Sequence, residues 1–448
     1  MAKRGLPTAE RDSKALHQSR GVTLRSVAFL VPGFDVDGGM EGQARSLARG
    51  LAEEGIPSTV VTTLPADLDL PLHEPMGLVE VFRIPTSPHL DWSTAMGVFE
   101  LAALGILRSR VGRLNLIYAV HHETGAMASR IGRSLDLPVV VKLACSGAHG
   151  DAAAAFAHPD RTRIQAGLRE AERLVAITAD IEREARDLLG IDPSRIVRLT
   201  NGVDRGTFRP RPWREDLPAR VLFLGRLTEQ KRVDVLLEAF ARVAQAHPDL
   251  KGLELVLAGH GPLQAELESQ AASLGIRASF LGSVPRAQVV DLLRDAKVVA
   301  LPSASEGASN SILEAIATGV PVVATELPGT CELIRHEQEG LLVPVGDVEA
   351  LASALGRLLS DDELYMKLAS AAEERSAEFD IGKVALAHID LFETLAVPRD
   401  ERPQEARPLF VAETDLPLAL QASTTALRIA GRGVRSILRT VRGKVLGG

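Results

Sequence analysis

The chain has 448 residues, 46% hydrophobic and 24% charged, a soluble globular composition too long for one ordinary core, so two domains are expected. Aromatic residues make up 4%, and 51 basic against 58 acidic side chains leave a net charge of −7; these values exclude a stacking platform for single strands and a field that gathers nucleic acid. Cys145 and Cys331 match no metal or redox spacing and suit a reducing, cytoplasmic setting.

The opening stretch MAKRGLPTAERDSKALHQSR (within a polar leader, 1–22) carries charges and no apolar core, so it does not read as a secretory signal. No apolar run approaches the ~18 residues of a membrane span. SVAFLVPG (26–33) then predicts a buried strand, DVDGG a loop, and Met40 to Glu54 a helix. PSTVVTT, GLVEVFRIP, LNLIYAV and LPVVVKLA predict further strands between helical stretches, and AERLVAIT and RIVRLTNG finish a first run. RPRPWREDLPA (209–219) has the proline and charge of a linker. RVLFLGR, LELVLAG, ASFLG, KVVALPS, VPVVAT and GLLVP repeat the alternation. The expected fold is therefore α/β: two doubly wound, Rossmann-like domains, 23–205 and 206–379, with parallel sheets covered on both faces. Ligands bind beyond the carboxyl ends of such strands. That rule brings DVDGG, HHETG, GRLTEQK, GHGPL and SEGASNS to one cleft.

SASEGASNSILEAIATGVPVVAT (303–325) sets two carboxylates, Glu306 and Glu314, on either side of a small polar run. Ser309 and Asn310 are placed to cap the helix that follows. LGRLTEQKRVDVLLEAF puts Gly225, Arg226 and Lys231 between a strand and a helix, and LAGHGPL places Gly261 after the next strand. With ELPGTCELIRHEQEGLLVPVGD and TNGVDRGTFRP, these motifs resemble the retaining family-four glycosyltransferases of GT-B fold over roughly Leu24 to Leu395. The paired glutamates and the Arg–Lys pair stand at that family's spacings.

The resemblance implies transfer of a sugar from a nucleoside-diphosphate donor to an acceptor hydroxyl, with front-face retention. Negative charge grows on the leaving diphosphate, which suits the fork of Arg226, the compact charge of Lys231 and the free N–H groups of the helix beginning at Ser309, Asn310 and Ser311. Such aimed donors are worth ~3–4 kcal/mol each in a transition state. These groups take the place of a metal, and no cofactor is expected. A carboxylate repels phosphate, so its partners are hydroxyls. By resemblance, Glu314 takes the ribose and Glu306 the transferred sugar.

Gly38 and Gly39 precede the first helix and let backbone N–H groups approach a phosphate or acceptor. His122–Glu123, after His121, resembles a His–Glu step in which the histidine meets the reacting sugar. Many relatives carry a histidine where this chain has Ala144, so no role transfers there. KLACSGAHGD, with Lys142 and Ser146 as acceptor or phosphate candidates, resembles the variant of one branch. Residues 380–396 are expected to form a helix returning to the first domain, and 397–448 a linker and tail. At ~100° per residue, the arginines of 426–446 fall opposite a Leu, Ile and Val stripe, a basic amphipathic helix suited to an anionic membrane and a lipid-linked acceptor. Helix packing on the enzyme's own surface is the competing reading of that tail. A nucleotide-sugar epimerase and a silent nucleotide-sugar-binding protein are the alternatives to transfer.

Overall fold

The computed structural model describes residues 24–35, 38–210 and 218–396. The polar leader, most of the linker and the whole of the 397–448 segment lie outside the described residues, the amphipathic tail included.

Eight strands form the first sheet: β1 (Val27–Leu30), β2 (Ser58–Leu64), β3 (His73–Met76), β4 (Val79–Pro85), β5 (Leu116–Val120), β6 (Val139–Leu143), β7 (Arg173–Ala176) and β8 (Ile196–Arg198). Their spatial order is β3-β4-β2-β1-β5-β6-β7-β8. The second sheet holds β9 (Arg220–Leu224), β10 (Glu254–Ala258), β11 (Ala278–Gly282), β12 (Val298–Leu301), β13 (Val322–Thr325) and β14 (Gly340–Val343), in the order β11-β10-β9-β12-β13-β14. Both are doubly wound. The order reverses between β1 and β5 and between β9 and β12, and at such switch points crevices open.

One strand corrects the expectation of wholly parallel sheets. HEPM pairs antiparallel with β4, His73 opposite Phe82. Its proline and polar residues give no strand signal, yet proline is tolerated on an edge, where its missing N–H breaks no ladder. Elsewhere the unbroken apolar runs have their usual cause. Every residue of β1, β2, β5 and β6 is buried, because helices cover both faces.

The helix Gly39–Glu53 buries Ala44, Leu47, Ala48 and Leu51 on one face, an i, i+3, i+4, i+7 stripe. The last described helix, Ile381–Leu395, packs on this stripe with Ala385, Ile389 and Phe392 in the same core. Its approach is close: a Cβ at Gly50 would lie 2.8 Å from the Cβ of Ala385. Burial of each large aliphatic or aromatic side chain here stabilises by about 1.5–3 kcal/mol.

Candidate active site

The basic loop after β9 is bound to the loop after β10 by its backbone. Gly225 N donates to Ala258 O at 3.1 Å, Leu227 N to His260 O at 3.1 Å and Leu263 N to Leu227 O at 3.2 Å. A Cβ at Gly261 would stand 2.2 Å from Leu227 O, and one at Gly259 only 1.8 Å from Gly225 O. Glycine is required for these loops to touch. The anchored loop presents Arg226, exposed and without a side-chain hydrogen bond or ion pair among the described residues. Lys231 instead pairs with Glu306 in a close contact, and Ser303 Oγ donates to the same Glu306 oxygen at 2.6 Å. Two neighbouring hydroxyls, Thr228 Oγ1 and Ser305 Oγ, are buried without a partner.

Glu314 is 7% exposed. Burial raises its carboxyl above the ordinary range, against the pull of Arg286, whose Nη1 lies 2.8 Å from Glu314 Oε1. The Arg286 guanidinium also stands 5.0 Å from the Phe208 ring centre. Neither glutamate is a solvated surface charge. The capping expectation is corrected: Ser309 holds the N-cap position of the helix Asn310–Ala317, but no side chain caps it. Asn310 reaches the first half of the chain instead. Its Nδ2 donates to Gly39 O at 2.6 Å, and its Oδ1 accepts from Gln43 Nε2 at 2.9 Å and Asn201 Nδ2 at 3.1 Å. A Cβ at Gly39 would come 3.2 Å from Asn310 Nδ2, so this glycine leaves room for the crossing. Gly38 is the extended N-cap of its helix. Ser311 Oγ is committed to Leu224 O at 2.9 Å.

On the first half, β5 is followed by His121, whose φ of 87° and ψ of 153° belong to a region that costs a non-glycine residue about 1–3 kcal/mol. Buried Asp151 holds it. Its Oδ1 lies 2.8 Å from His121 Nδ1 and 3.1 Å from His122 Nδ1 and accepts from His122 N at 3.1 Å. Its Oδ2 accepts from Ala144 N at 2.8 Å and Cys145 N at 3.2 Å. Burial alone would raise the Asp151 carboxyl, but the charge and hydrogen bond of His121 and the hydrogen bond of His122 hold it far below the carboxylate range. Conversely, burial opposes protonation of His121 and Asp151 overcomes it, so that imidazole is raised. This trio is the one group of such side chains placed to hold a metal among the described residues. Its two Nδ1 atoms stand 2.7 Å apart, closer than the about 3.3 Å of two nitrogens on one tetrahedral zinc. The geometry is that of a hydrogen-bonded cluster. The lone carboxylate in SGAHGD gives no sign in sequence of its partner 29 residues away, and it was missed.

The two halves meet at these loops. A Cβ at Gly307 would be 2.3 Å from Ala144 O, and Ser146 Oγ donates to Glu306 O at 3.4 Å. The Cys145 thiol is raised by burial and by Asp151 and Glu306, and lowered by Lys231 and Arg226, so charges of both halves converge on it. Lys142 is buried, and burial alone pushes its ammonium down to about 7. It lies near His388 of the last helix, which burial and Lys142 together push down to about 3. Sequence reasoning also missed Arg286 and Gln43, polar residues with no motif around them, and the part played by Asn201, whose motif TNGVDRGTFRP was noted without it.

Comparison with known proteins agrees with this geometry. The glycosyl transferases group 1 family pattern matches residues 205–375 and the glycosyl transferase 4-like domain residues 38–202, together well over half of the chain. Glycogen synthase of Mycobacterium tuberculosis is 28% identical over 407 residues, covering 85% of this chain and 96% of that one. A D-inositol 3-phosphate glycosyltransferase of Xylanimonas cellulosilytica is 29% identical over 395 residues, covering 81% and 93%. Among solved structures, Anabaena HepE in complex with UDP-glucose superposes with a TM-score of 0.65 at 20% identity, covering 82% of this chain and 99% of that one, a likeness of GT-B fold. The paired motifs, the two facing sheets and these matches converge, and the chain belongs to the group 1 glycosyl transferases.

Proposed function

We propose that the protein moves a sugar from a nucleoside-diphosphate sugar to an acceptor hydroxyl with retained anomeric configuration and without a metal ion. The observation that carries this reading is the unpaired Arg226 beside the Lys231–Glu306 pair. A free guanidinium beside a compensated pair suits an arriving diphosphate: Lys231 turns to phosphate, and Glu306 is released to the hydroxyls of the sugar. The N–H groups of Asn310 and Ser311 add a fixed positive end. Glu314, steadied by Arg286, takes the ribose. As the sugar–phosphate bond breaks, its electron pair stays on the diphosphate, whose oxygen accepts the proton of the hydroxyl attacking from the same face. On the acceptor side His122, held by Asp151, meets the reacting sugar, with His121 and Ser146 beside it. In this reading 23–205 presents the acceptor and 206–379 the donor. HepE, solved with UDP-glucose, supports a uridine donor.

The acceptor is proposed to be carbohydrate or lipid-linked, with 426–446 holding the enzyme at the inner face of a membrane. No described helix is long and apolar enough to cross one, and each basic residue near an anionic surface adds ~1 kcal/mol. Truncation at Pro417 should abolish co-sedimentation with anionic vesicles; equal binding by both forms would remove the tail from the reading. Transfer itself is tested with labelled nucleoside-diphosphate sugars chosen by thermal shift, since a donor at 100 times its Kd stabilises by ~2.7 kcal/mol. The product anomer, read by NMR, decides retention.

A further inference from the structure

A cavity of about 440 Å³ opens at the opposite end of the first sheet, among the amino ends of its strands, away from the carboxyl-end loops of the cleft. Its volume lies within the about 300–1,000 Å³ of small-ligand sites. Three arginines line it: Arg25, Arg110 and Arg113. Only Arg110 has a partner, with Nε and Nη2 each 3.2 Å from a Glu80 oxygen and its guanidinium 4.2 Å from the Phe82 ring centre. That carboxylate also meets His73 Nε2 at 2.8 Å. Arg25 and Arg113 are exposed, and their guanidiniums have no hydrogen bond or ion pair among the described residues. Three arginines against one glutamate leave the cavity cationic.

Hydroxyls complete the wall. Ser26, Ser58 and Thr59 line the cavity; the Ser58 hydroxyl is buried without a hydrogen-bond partner, and the hydroxyls of Ser26 and Thr59 make no hydrogen bond among the described residues. Thr59 pairs with Glu80 across β2 and β4, and paired residues of neighbouring strands share a face. The Thr59 hydroxyl thus stands on the face from which Glu80 holds Arg110. Buried hydroxyls are ordinarily satisfied, and the Ser58 hydroxyl left open beside two unpaired guanidiniums asks for an acceptor-rich ligand. A phosphomonoester supplies three oxygens and up to two charges to such donors.

The geometry points to a second anion site here, for the phosphomonoester group of a small molecule or a lipid headgroup, separate from the sugar-transfer cleft. Arg25 and Arg113 fork onto the phosphate, the lining hydroxyls of Ser26, Ser58 and Thr59 donate to it, and Arg110 is the charge fixed in the wall by Glu80. The remaining volume takes the organic part.

The test is calorimetry of the full chain with glycerol 3-phosphate, with a parallel arm of vesicles containing phosphatidic acid and a neutral-vesicle control. The Arg25→Ala/Arg113→Ala variant removes two exposed, unpartnered side chains and should keep its fold and its transfer rate. Its affinity for the phosphomonoester should fall at least tenfold, while Arg226→Ala binds as the parent does. Saturation by glycerol 3-phosphate identifies a soluble ligand; binding confined to phosphatidic acid vesicles, lost in the same double variant, identifies a headgroup. Equal affinity in parent and double variant overturns the site, as does a loss seen only in Arg226→Ala or an absence of binding in both arms.

Discussion

The two halves of the cleft are prepared differently. On the second half, opposite charges stand in pairs: Lys231 with Glu306 and Arg286 with Glu314, leaving Arg226 open. On the first half, one buried carboxylate gathers two imidazoles and three backbone N–H groups around a strained His121. The first arrangement can exchange partners when an anion arrives. The second fixes geometry and has little freedom to rearrange. The difference suits a mobile, highly charged donor on one side and a precisely aimed hydroxyl on the other.

The largest expected effect breaks the exchangeable side. Arg226→Ala should lower kcat/KM by about two to three orders of magnitude, as loss of one transition-state donor does, with thermal unfolding of the free protein unchanged. Lys231→Ala should be similar in rate, and it strands Glu306 in a buried position, so a lower Tm is expected as well. Near-normal turnover in the folded double variant would end the phosphate assignment.

Next is the fixed side. Asp151→Asn should cut transfer by roughly tenfold or more, while calorimetry with UDP shows little change in diphosphate affinity. The pH dependence gives a second reading. Asp151 is depressed, so its stabilisation is present above about pH 3.9 and lost as pH falls. His121 is raised, so its stabilisation is complete below about pH 6.5 and lost as pH rises through its higher folded value. The stability gap between parent and Asp151→Asn should therefore be widest near pH 5–6 and narrow toward pH 9. A gap constant across that range would show that the imidazoles draw nothing from the carboxylate.

A finer separation lies within the paired charges. Glu306→Gln should damage transfer more than UDP binding, whereas Glu314→Gln weakens UDP binding itself; equal losses of UDP affinity would mean that the sugar and ribose roles are misassigned. The smallest effect concerns Lys142. Its depressed ammonium, near 7 in the fold, costs stability that is fully present below pH 7 and gone above about pH 10.4. Lys142→Met should raise Tm most at pH 6 and least at pH 10, with transfer unchanged. A fall in kcat/KM at constant stability would place the lysine on the acceptor instead.

The contrast between the halves also explains what the sequence disclosed. Thirteen strands were legible because parallel strands covered on both faces are mostly apolar runs, while β3 escaped because an edge strand may carry Glu74 and Pro75 without penalty. The second-half site was legible because Arg226 and Lys231 share one loop, and Glu306 and Glu314 share another short segment. Asp151 was not, since its partners lie on a different loop brought close only by the β5–β6 pairing. Arg286 starts an ordinary helix and reveals its role only when Glu314 is buried beside it. Ser309 and Asn310 had the composition of a cap, but the pull of Gly39, Gln43 and Asn201 across the cleft wins Asn310 away from it.

The return of the helix Ile381–Leu395 to the first half has a consequence for biosynthesis. Its core joins Val175 to Ala385, Ile389 and Phe392, so a ribosome must add 210 residues after Val175 before Ala385 exists. At about 5–20 residues per second this takes roughly 10–40 s. During that interval the stripe of Ala44, Leu47 and Leu51 lacks the cover of the last helix, while all of the second sheet is being made. The half synthesised first is thus the half completed last, and a stalled or truncated chain would expose this apolar stripe to chaperones.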